Sequence, residues 1–334
     1  MIVTASTDNP DSLISVVMSA DSAYFDGLLV TMASMAEYAS PDKTIEWLVL
    51  DGGISDSDYV FLEKAVCSRH KKSKFQRISF DKHRTGKAKD YHGSVMTYAR
   101  LYLAELFPDK TYVLYCDVDF LWRADVAKLW DLRSETQCVL STRDEWLYLN
   151  GDSEEESWFV SRGLDFKRDW YFCAGLCFFN LRRIRQHGFD KEFHKFLERH
   201  PDARLADQTV MNAVLPASEI GLVPPMWQRF ISTVEPAQLN CPYALHYAGG
   251  APWSAKCNIA LLTDAAMLWF REYAKLRGIS TWKAICRIHN PLFAAFSRCV
   301  FKFATTTKLT FQIFCKLMRL IKKDGYIIFC RKLL

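Results

Sequence analysis

The sequence predicts an α/β domain built on a mixed, mainly parallel sheet with flanking helices, followed by a helical, basic tail. Three observations predict it. Short apolar runs alternate with helical periodicity, as strands and their crossover helices do. No composition break, internal repeat or low-complexity segment divides the first 258 residues. Half of the 334 residues are hydrophobic and 14% are aromatic, which supports a large core and excludes a disordered chain.

The elements follow in order. Leu13 to Met18 is an apolar run that reads as a buried strand. Phe25, Leu28, Leu29, Met32 and Met35 recur at helical spacing, so a helix follows. Ile45 to Leu50 reads as a second strand, closed by the turn signal Asp51-Gly52-Gly53. A helix over Ser55 to Val66 and a strand over Phe75 to Phe80 come next, then a polar, basic loop from Lys82 to Asp90. Ser94 is placed to cap a helix from Val95 to Phe107, which Pro108-Asp109 stops. Tyr112 to Cys116 is the central strand. A short helix over Asp125 to Leu132, a strand over Gln137 to Thr142 and an acidic loop over Gly151 to Ser157 lead to the apolar strand Tyr171 to Leu181. Its small residues Ala174-Gly175 mark a place where another group approaches closely. Helices over Phe189 to Arg199 and Ala206 to Leu215, a short strand at Leu245 to Tyr247 and a helix over Thr263 to Gly278 complete the body. Residues 1–258 form the catalytic domain in this reading, 259–283 a helical extension and 284–334 the tail.

The central strand ends in Asp117-Val118-Asp119. In extended backbone the two carboxylates lie at i and i+2 and point to one side. They repel unless a cation sits between them, and a hard divalent ion with open positions for phosphates suits such ligands. A bare Asp-x-Asp is weakly specific, and helix capping or a pair with Arg123 explains it equally well in isolation. In parallel sheets ligands bind at the carboxyl ends of strands, and Asp21 ends the first strand as Asp117 and Asp119 end the central one.

Six stretches in one order then resemble glycosyltransferase family 8: ISVVMSADSAYFDGLLV, MTYARLYLAEL, YVLYCDVDFLW, CAGLCFFNL, ADQTVMNAV and ALHYAGGAPW. They span Ile14 to Trp253 and are most similar to the bacterial lipopolysaccharide and lipo-oligosaccharide galactosyl- and glucosyltransferases, relatives of glycogenin. The resemblance implies a GT-A (Rossmann-like) fold and a retaining transfer of a hexose, galactose or glucose, from a UDP-sugar to a lipopolysaccharide or related surface glycan. It implies a manganese ion, with magnesium as the alternative, on Asp117, Asp119 and His246. Imidazole mixed with carboxylates suits such an ion. A core histidine bonded to a backbone carbonyl is the other reading of His246.

The resemblance also assigns Asp21, Ala23 and Tyr24 to the uracil, with a helix cap and a helix-face tyrosine as the plain alternatives. Where the family has asparagine, this chain has Ala23. Arg100, Asp144, Asp207 and Gln208 fall on residues that face the donor sugar, and Val118, Cys173 and Ala174 join the donor-binding set. Asp207 in isolation is equally an N-cap, and Arg100 an ordinary ion-pair arginine. Gln208 matches the residue beneath the sugar. A neutral amide is a poor nucleophile, so a front-face mechanism fits better than a covalent route. Gly249 and Gly250 offer backbone to the diphosphate. The family's loop lysine is absent, and the loop is one residue short, leaving Lys256 as the nearest replacement. Cys173 stands where the family has asparagine, a change that bears on donor identity.

Charge divides the chain. From residue 284 onward ten Lys/Arg face one acid, Asp324, for a net +9, so the rest carries −4 of the overall +5. Phe293, Phe296, Cys299, Val300 and Phe303, then Leu309, Ile313, Leu317, Leu320 and Ile321, recur at helical spacing among those cations. Basic amphipathic character points to an anionic membrane surface, with a helix packed on the body as the alternative. No nucleic-acid motif accompanies the charge. Eleven scattered cysteines without a Cys-x-x-Cys pair suggest reduced thiols, and residues 1–12 lack an apolar signal core. The expected setting is cytoplasmic, peripheral on the inner face of the cell membrane, with a glycan or lipid-linked glycan as acceptor. Two rivals stand beside this reading. One is a non-catalytic nucleotide-sugar or lipid-binding scaffold. The other is a haloacid-dehalogenase-type phosphohydrolase, against which Leu121 counts, since that family wants Thr or Val there.

Overall fold

The computed structural model describes residues 13–298, apart from 152, 233, 235–238, 240, 242–243, 250, 254–262, 290, 292–293 and 296–297. All of the apolar tail positions, Gly250 and Lys256 lie outside the described residues, as does the boundary expected at 258. Two compact units divide the chain, one ending at His246 and the other beginning at Tyr247.

In the first unit β1 (Leu13–Ala20), β2 (Thr44–Asp51) and β3 (Ser73–Ser79) pair in parallel, with Val16 opposite Trp47 and Trp47 opposite Phe75. β4 (Tyr112–Cys116) lies parallel on the other side of β1. β7 (Phe172–Asn180) runs antiparallel between β4 and β6 (Val139–Arg143), and β8 (Ile220–Leu222) closes the edge parallel to β6. The order β3-β2-β1-β4-β7-β6-β8 is the mixed, mainly parallel sheet that the alternating pattern predicts. β1 and β7 are buried along almost their whole length, which explains why they read as continuous apolar runs.

Helix α1 (Phe25–Tyr38) is buried from Gly27 through Ala36 because it is covered on more than one side. Its Thr31 and Ser34 hydroxyls are spent on β5 (Phe120–Trp122) and the turn before it. α2 (Asp56–Arg69) starts where the Ser55 hydroxyl accepts from the Asp58 amide at 3.1 Å, with Asp56 and Asp58 in the positive first turn. A second sheet places β10 (Ala244–His246) between β5, antiparallel, and β9 (Arg229–Phe230), parallel.

Three expectations are corrected. The acidic loop expected over 151–157 is helical from Ser153 onward. The short helix α5 (Glu145–Asn150) is followed by α6 (Ser153–Val160), whose Glu155 turns inward and is fully buried with hydrogen-bond partners. The helix expected over 95–107 is a 3-10 helix over Met96–Tyr102 that passes into a single α-turn, α3 (Leu103–Leu106). In the tighter turn Arg100 Nε reaches the Thr97 carbonyl at 3.1 Å. Strand β6 begins at Val139, two residues after the expected start.

The remaining helices of this unit are α4 (Val126–Trp130), α7 (Leu181–His187), α8 (Phe189–Arg199) and α9 (Asp207–Val214). The second unit contains α10 (Asp264–Arg277), capped by Thr263 and ended by Gly278 in the left-handed conformation, and α11 (Thr281–Ile288). Among the described residues no helix is long and apolar enough to cross a membrane.

Candidate active site

Strand β4 ends at Cys116, and the next peptide is held from two sides. Asp117 N donates to the Gly175 carbonyl of β7 at 2.7 Å. From α1, the Thr31 hydroxyl reaches the carbonyls of Val118 and Phe120, each at 2.8 Å. The Asp-Val-Asp turn is thereby fixed before any ligand arrives.

His246 is brought to it by β10, where it sits opposite Phe120 of β5. Its ring stacks on Phe120 at 4.3 Å and 10° and on Phe230 at 5.1 Å. Below it lies Gly175. A Cβ there would stand 2.6 Å from His246 Cε1 and 3.0 Å from Nε2. This is the close approach that the small residues Ala174-Gly175 predict. Gly175→Ala is therefore expected to push the imidazole off its place, destabilising the fold by about 1–3 kcal/mol through overpacking. Divalent-metal affinity, read by calorimetry, should weaken by about 10–100-fold, as when a ligand's orientation is lost.

Ligand atoms of Asp117, Asp119 and His246 all lie within 4.8 Å of one another. Asp119 Oδ1 is buried, makes no aligned hydrogen bond, and stands 3.2 Å from His246 Nε2. Two donor atoms that close, with bonds of about 2.1 Å to a shared ion, make the edge of an octahedron. The residues thus fit a divalent cation. Gln228 lies 3.4 Å from Nδ1 of His246, and its Oε1 is buried without a partner. Turning that amide over pairs Oε1 with Nδ1–H and leaves the Nε2 lone pair facing Asp119, the tautomer that a metal ligand needs.

The electrostatics divide the pair. Burial pushes the Asp117 carboxyl up, against the Arg100 charge, with Asp119 and Asp207 adding to the rise. Burial acts on Asp119 too, but His246 outweighs it and holds that carboxyl below its ordinary value. Arg100 is buried and, besides the Thr97 carbonyl, binds three further partners. Nη2 donates to Asp117 Oδ1 at 2.5 Å, Nε pairs with Asp207 Oδ2 at 2.8 Å, and Nη1 donates to the Ala174 carbonyl. Burial penalises its charge, but Asp117 and Asp207 more than offset that and raise its pKa above the ordinary arginine value.

Asp207 is not the cap of its helix. It is the first residue of α9, preceded by Ala206 at φ 52°, and its carboxylate accepts from the Thr97 hydroxyl as well as pairing with Arg100. A non-glycine residue at positive φ stores strain, and here it precedes Asp207, which meets Arg100 and Thr97, and Gln208, which meets Ala174 and Asp144. Gln208 Oε1 accepts from Ala174 N at 2.9 Å, and its Nε2 donates to Asp144 Oδ2 at 2.9 Å. Asp144 also caps α5 through Leu147 N at 2.9 Å. Cys173 is buried beside Ala174, and its carbonyl accepts from Ser141.

Asp21 follows β1 and caps a 3-10 helix over Ser22–Tyr24 through Ala23 N at 3.1 Å. Its Oδ2 receives Ser94 Oγ at 3.0 Å and Lys82 Nζ at 3.3 Å. The Tyr24 hydroxyl donates to the His92 carbonyl at 2.8 Å. Gly249 belongs to the second unit and adopts φ 68°. One group thus forms around Arg100, joining Asp117, Asp207, Gln208, Asp144 and Ala174, with Asp119 and His246 beside it. Asp21 forms a second centre with Ser94 and Lys82.

Sequence reasoning missed Thr97, Gln228, Phe120, Phe230 and Glu155. Thr97 is legible in hindsight, three residues before Arg100 on a turning backbone. Nothing marks Gln228, whose role depends on a contact with His246, 18 residues away.

Comparison with known proteins bears on the fold and the family. The curated General stress protein A of Bacillus subtilis is 23% identical over 210 residues, covering 61% of this chain and 70% of that protein. A crystal structure of the galactosyltransferase LgtC in complex with donor and acceptor sugar analogs is 22% identical, with a TM-score of 0.65 over 81% of this chain and the whole of that one. The apo structure of the bifunctional glycosyltransferase WbbM gives 20% identity and a TM-score of 0.64, covering 84% of this chain and 53% of that one. The two structures establish the GT-A type of fold. The family model "Glycosyl transferase family 8" matches residues 15–257, nearly the whole of the first unit and the start of the second, and on that match the chain belongs to glycosyltransferase family 8.

Proposed function

We propose that this family 8 glycosyltransferase moves a hexose, galactose or glucose, from a UDP-sugar to a glycan or lipid-linked glycan, with manganese (or magnesium) on Asp117, Asp119 and His246 and retention of the anomeric configuration. The observation that carries the reading is the convergence of those three ligands beside the Arg100–Asp207–Gln208–Asp144 network. When bound, the ion neutralises the diphosphate as the sugar–phosphate bond breaks. Asp21, Ala23, Tyr24 and Val118 take the uridine in this reading. Asp144, Arg100, Asp207, Cys173 and Ala174 hold the sugar.

The chain's own residues favour a front-face transfer. The Gln208 amide is engaged at both ends, by Ala174 N–H and by Asp144, so it supports positive charge at the sugar through its dipole and does not attack it. The +9 tail draws the enzyme to anionic lipid at the inner face of the membrane, where a lipid-linked acceptor waits.

A donor panel tests this. Purified protein with manganese is given UDP-galactose, UDP-glucose and the other common nucleotide sugars, and free nucleotide is followed. The expected result is metal-dependent release from one UDP-hexose, stopped by a chelator. UDP binding without release, with or without glycan acceptors, would favour the scaffold instead.

A further inference from the structure

Helix α6 carries three consecutive acids that go three ways. Glu154 pairs with Arg204 at 3.4 Å and Glu156 with Arg168 at 2.5 Å, both near the surface. Glu155, between them, is 0% exposed. Its Oε1 accepts from the Tyr171 hydroxyl at 2.6 Å and from the Thr209 hydroxyl at 2.7 Å, and its Oε2 faces Arg204 Nε at 3.1 Å. A buried carboxylate is costly unless such donors meet it. These three come from different segments: the residue before β7, helix α9, and the loop that precedes α9.

The contacts close a ring. Tyr171 donates to Glu155 through its phenol, and its carbonyl accepts from Asp144 N at 3.0 Å. Asp144 Oδ2 accepts from Gln208 Nε2. Gln208 precedes Thr209, which returns to Glu155. Every other member sits on an element that carries a sugar-facing residue or adjoins one. Glu155 comes from outside those elements and ties them together. Burial pushes its carboxyl up, the Tyr171 and Thr209 hydrogen bonds oppose that, and the Asp144 charge adds to it.

We propose that Glu155 is a positioning residue for the Gln208–Asp144 pair, fixing the start of α9 against Tyr171 so that the Gln208 amide stands where the reacting sugar carbon passes. The inference rests on the reading of that pair as sugar-facing. A group held through a buried hydrogen-bond network is misplaced when one link is cut, and a displacement of about 1 Å costs on the order of 100-fold in rate.

The test uses the full chain with UDP-galactose and UDP-glucose as donors. Glu155→Gln keeps the shape but sets an amide N–H against Arg204, and Tyr171→Phe removes only the hydroxyl. Each is expected to lower kcat by about 10-fold, and Glu155→Ala by about 100-fold, with donor KM and the Kd for UDP within about twofold of wild type. A purely structural carboxylate would lower the Tm and leave kcat intact. If Glu155→Ala does not fold, Tyr171→Phe decides, since it removes no charge and little volume. An undiminished kcat in both Glu155→Gln and Tyr171→Phe overturns the inference while the site reading stands. A wild-type enzyme that turns over neither donor overturns the site reading and this inference with it.

Discussion

Asp119→Asn is expected to lower metal-dependent donor turnover by about 1,000-fold, equivalent to about 4 kcal/mol of transition-state stabilisation. The substitution keeps the shape and removes the charge. His246 and Asp117 remain, but a site with one carboxylate holds a hard divalent ion poorly. The stability effect is smaller and has the same sign. His246 holds the Asp119 carboxyl below its ordinary value, so the fold favours the charged form, and removing the charge loses that contribution. The metal-free variant should therefore fall slightly below wild type in Tm at about pH 7. Adding manganese should raise the Tm of wild type, because the ion binds the folded state alone, and leave the variant nearly unmoved. A variant that keeps its turnover, or a wild type whose Tm ignores manganese, would remove Asp119 from the metal site.

What was legible in the sequence follows from which forces are local. Apolar runs specify buried strands because both sheet faces are covered, and β1, β2, β4 and the antiparallel β7 lie where those runs stand. The pairing of Asp117 with Asp119 is visible because it depends on two adjacent residues. The small residues at Ala174-Gly175 announced a close approach, and His246 is what approaches. Residues 151–157 went the wrong way because three acids in a row resemble a solvated loop. Only the donors from Tyr171, Thr209 and Arg204, far away in sequence, make it possible to bury the middle one. The 3-10 helix over Met96–Tyr102 was unreadable for the same reason. Its tight turn is held by the Arg100 contacts to Ala174, Asp117 and Asp207, each from a different segment.

Those contacts make Arg100→Ala the substitution with the largest expected effect on the fold, about 3–5 kcal/mol of destabilisation. The arginine side chain is 1% exposed, so the truncation leaves the Asp207 carboxylate buried without its counter-charge and the Ala174 carbonyl without its donor. Arg100→Lys should recover little, since a single ammonium cannot reach three acceptors fixed in the geometry of a planar fork. The pH dependence separates this account from a packing defect. Asp117 and Asp207 already have raised pKa values with Arg100 present, for burial outweighs its charge. Without it both rise further. A carboxyl with a raised pKa in the fold binds protons there that it loses on unfolding, so its contribution to stability falls as pH climbs above the ordinary carboxylate value of about 4. The deficit of Arg100→Ala against wild type, measured by urea unfolding, should therefore be larger at pH 8 than at pH 5. Adding Asp207→Asn to the variant should return part of the loss, because an amide costs less to bury than an unpaired carboxylate. A deficit that does not change with pH, or a double variant no more stable than Arg100→Ala, would show that the guanidinium acts by filling space and not by neutralising the two carboxylates.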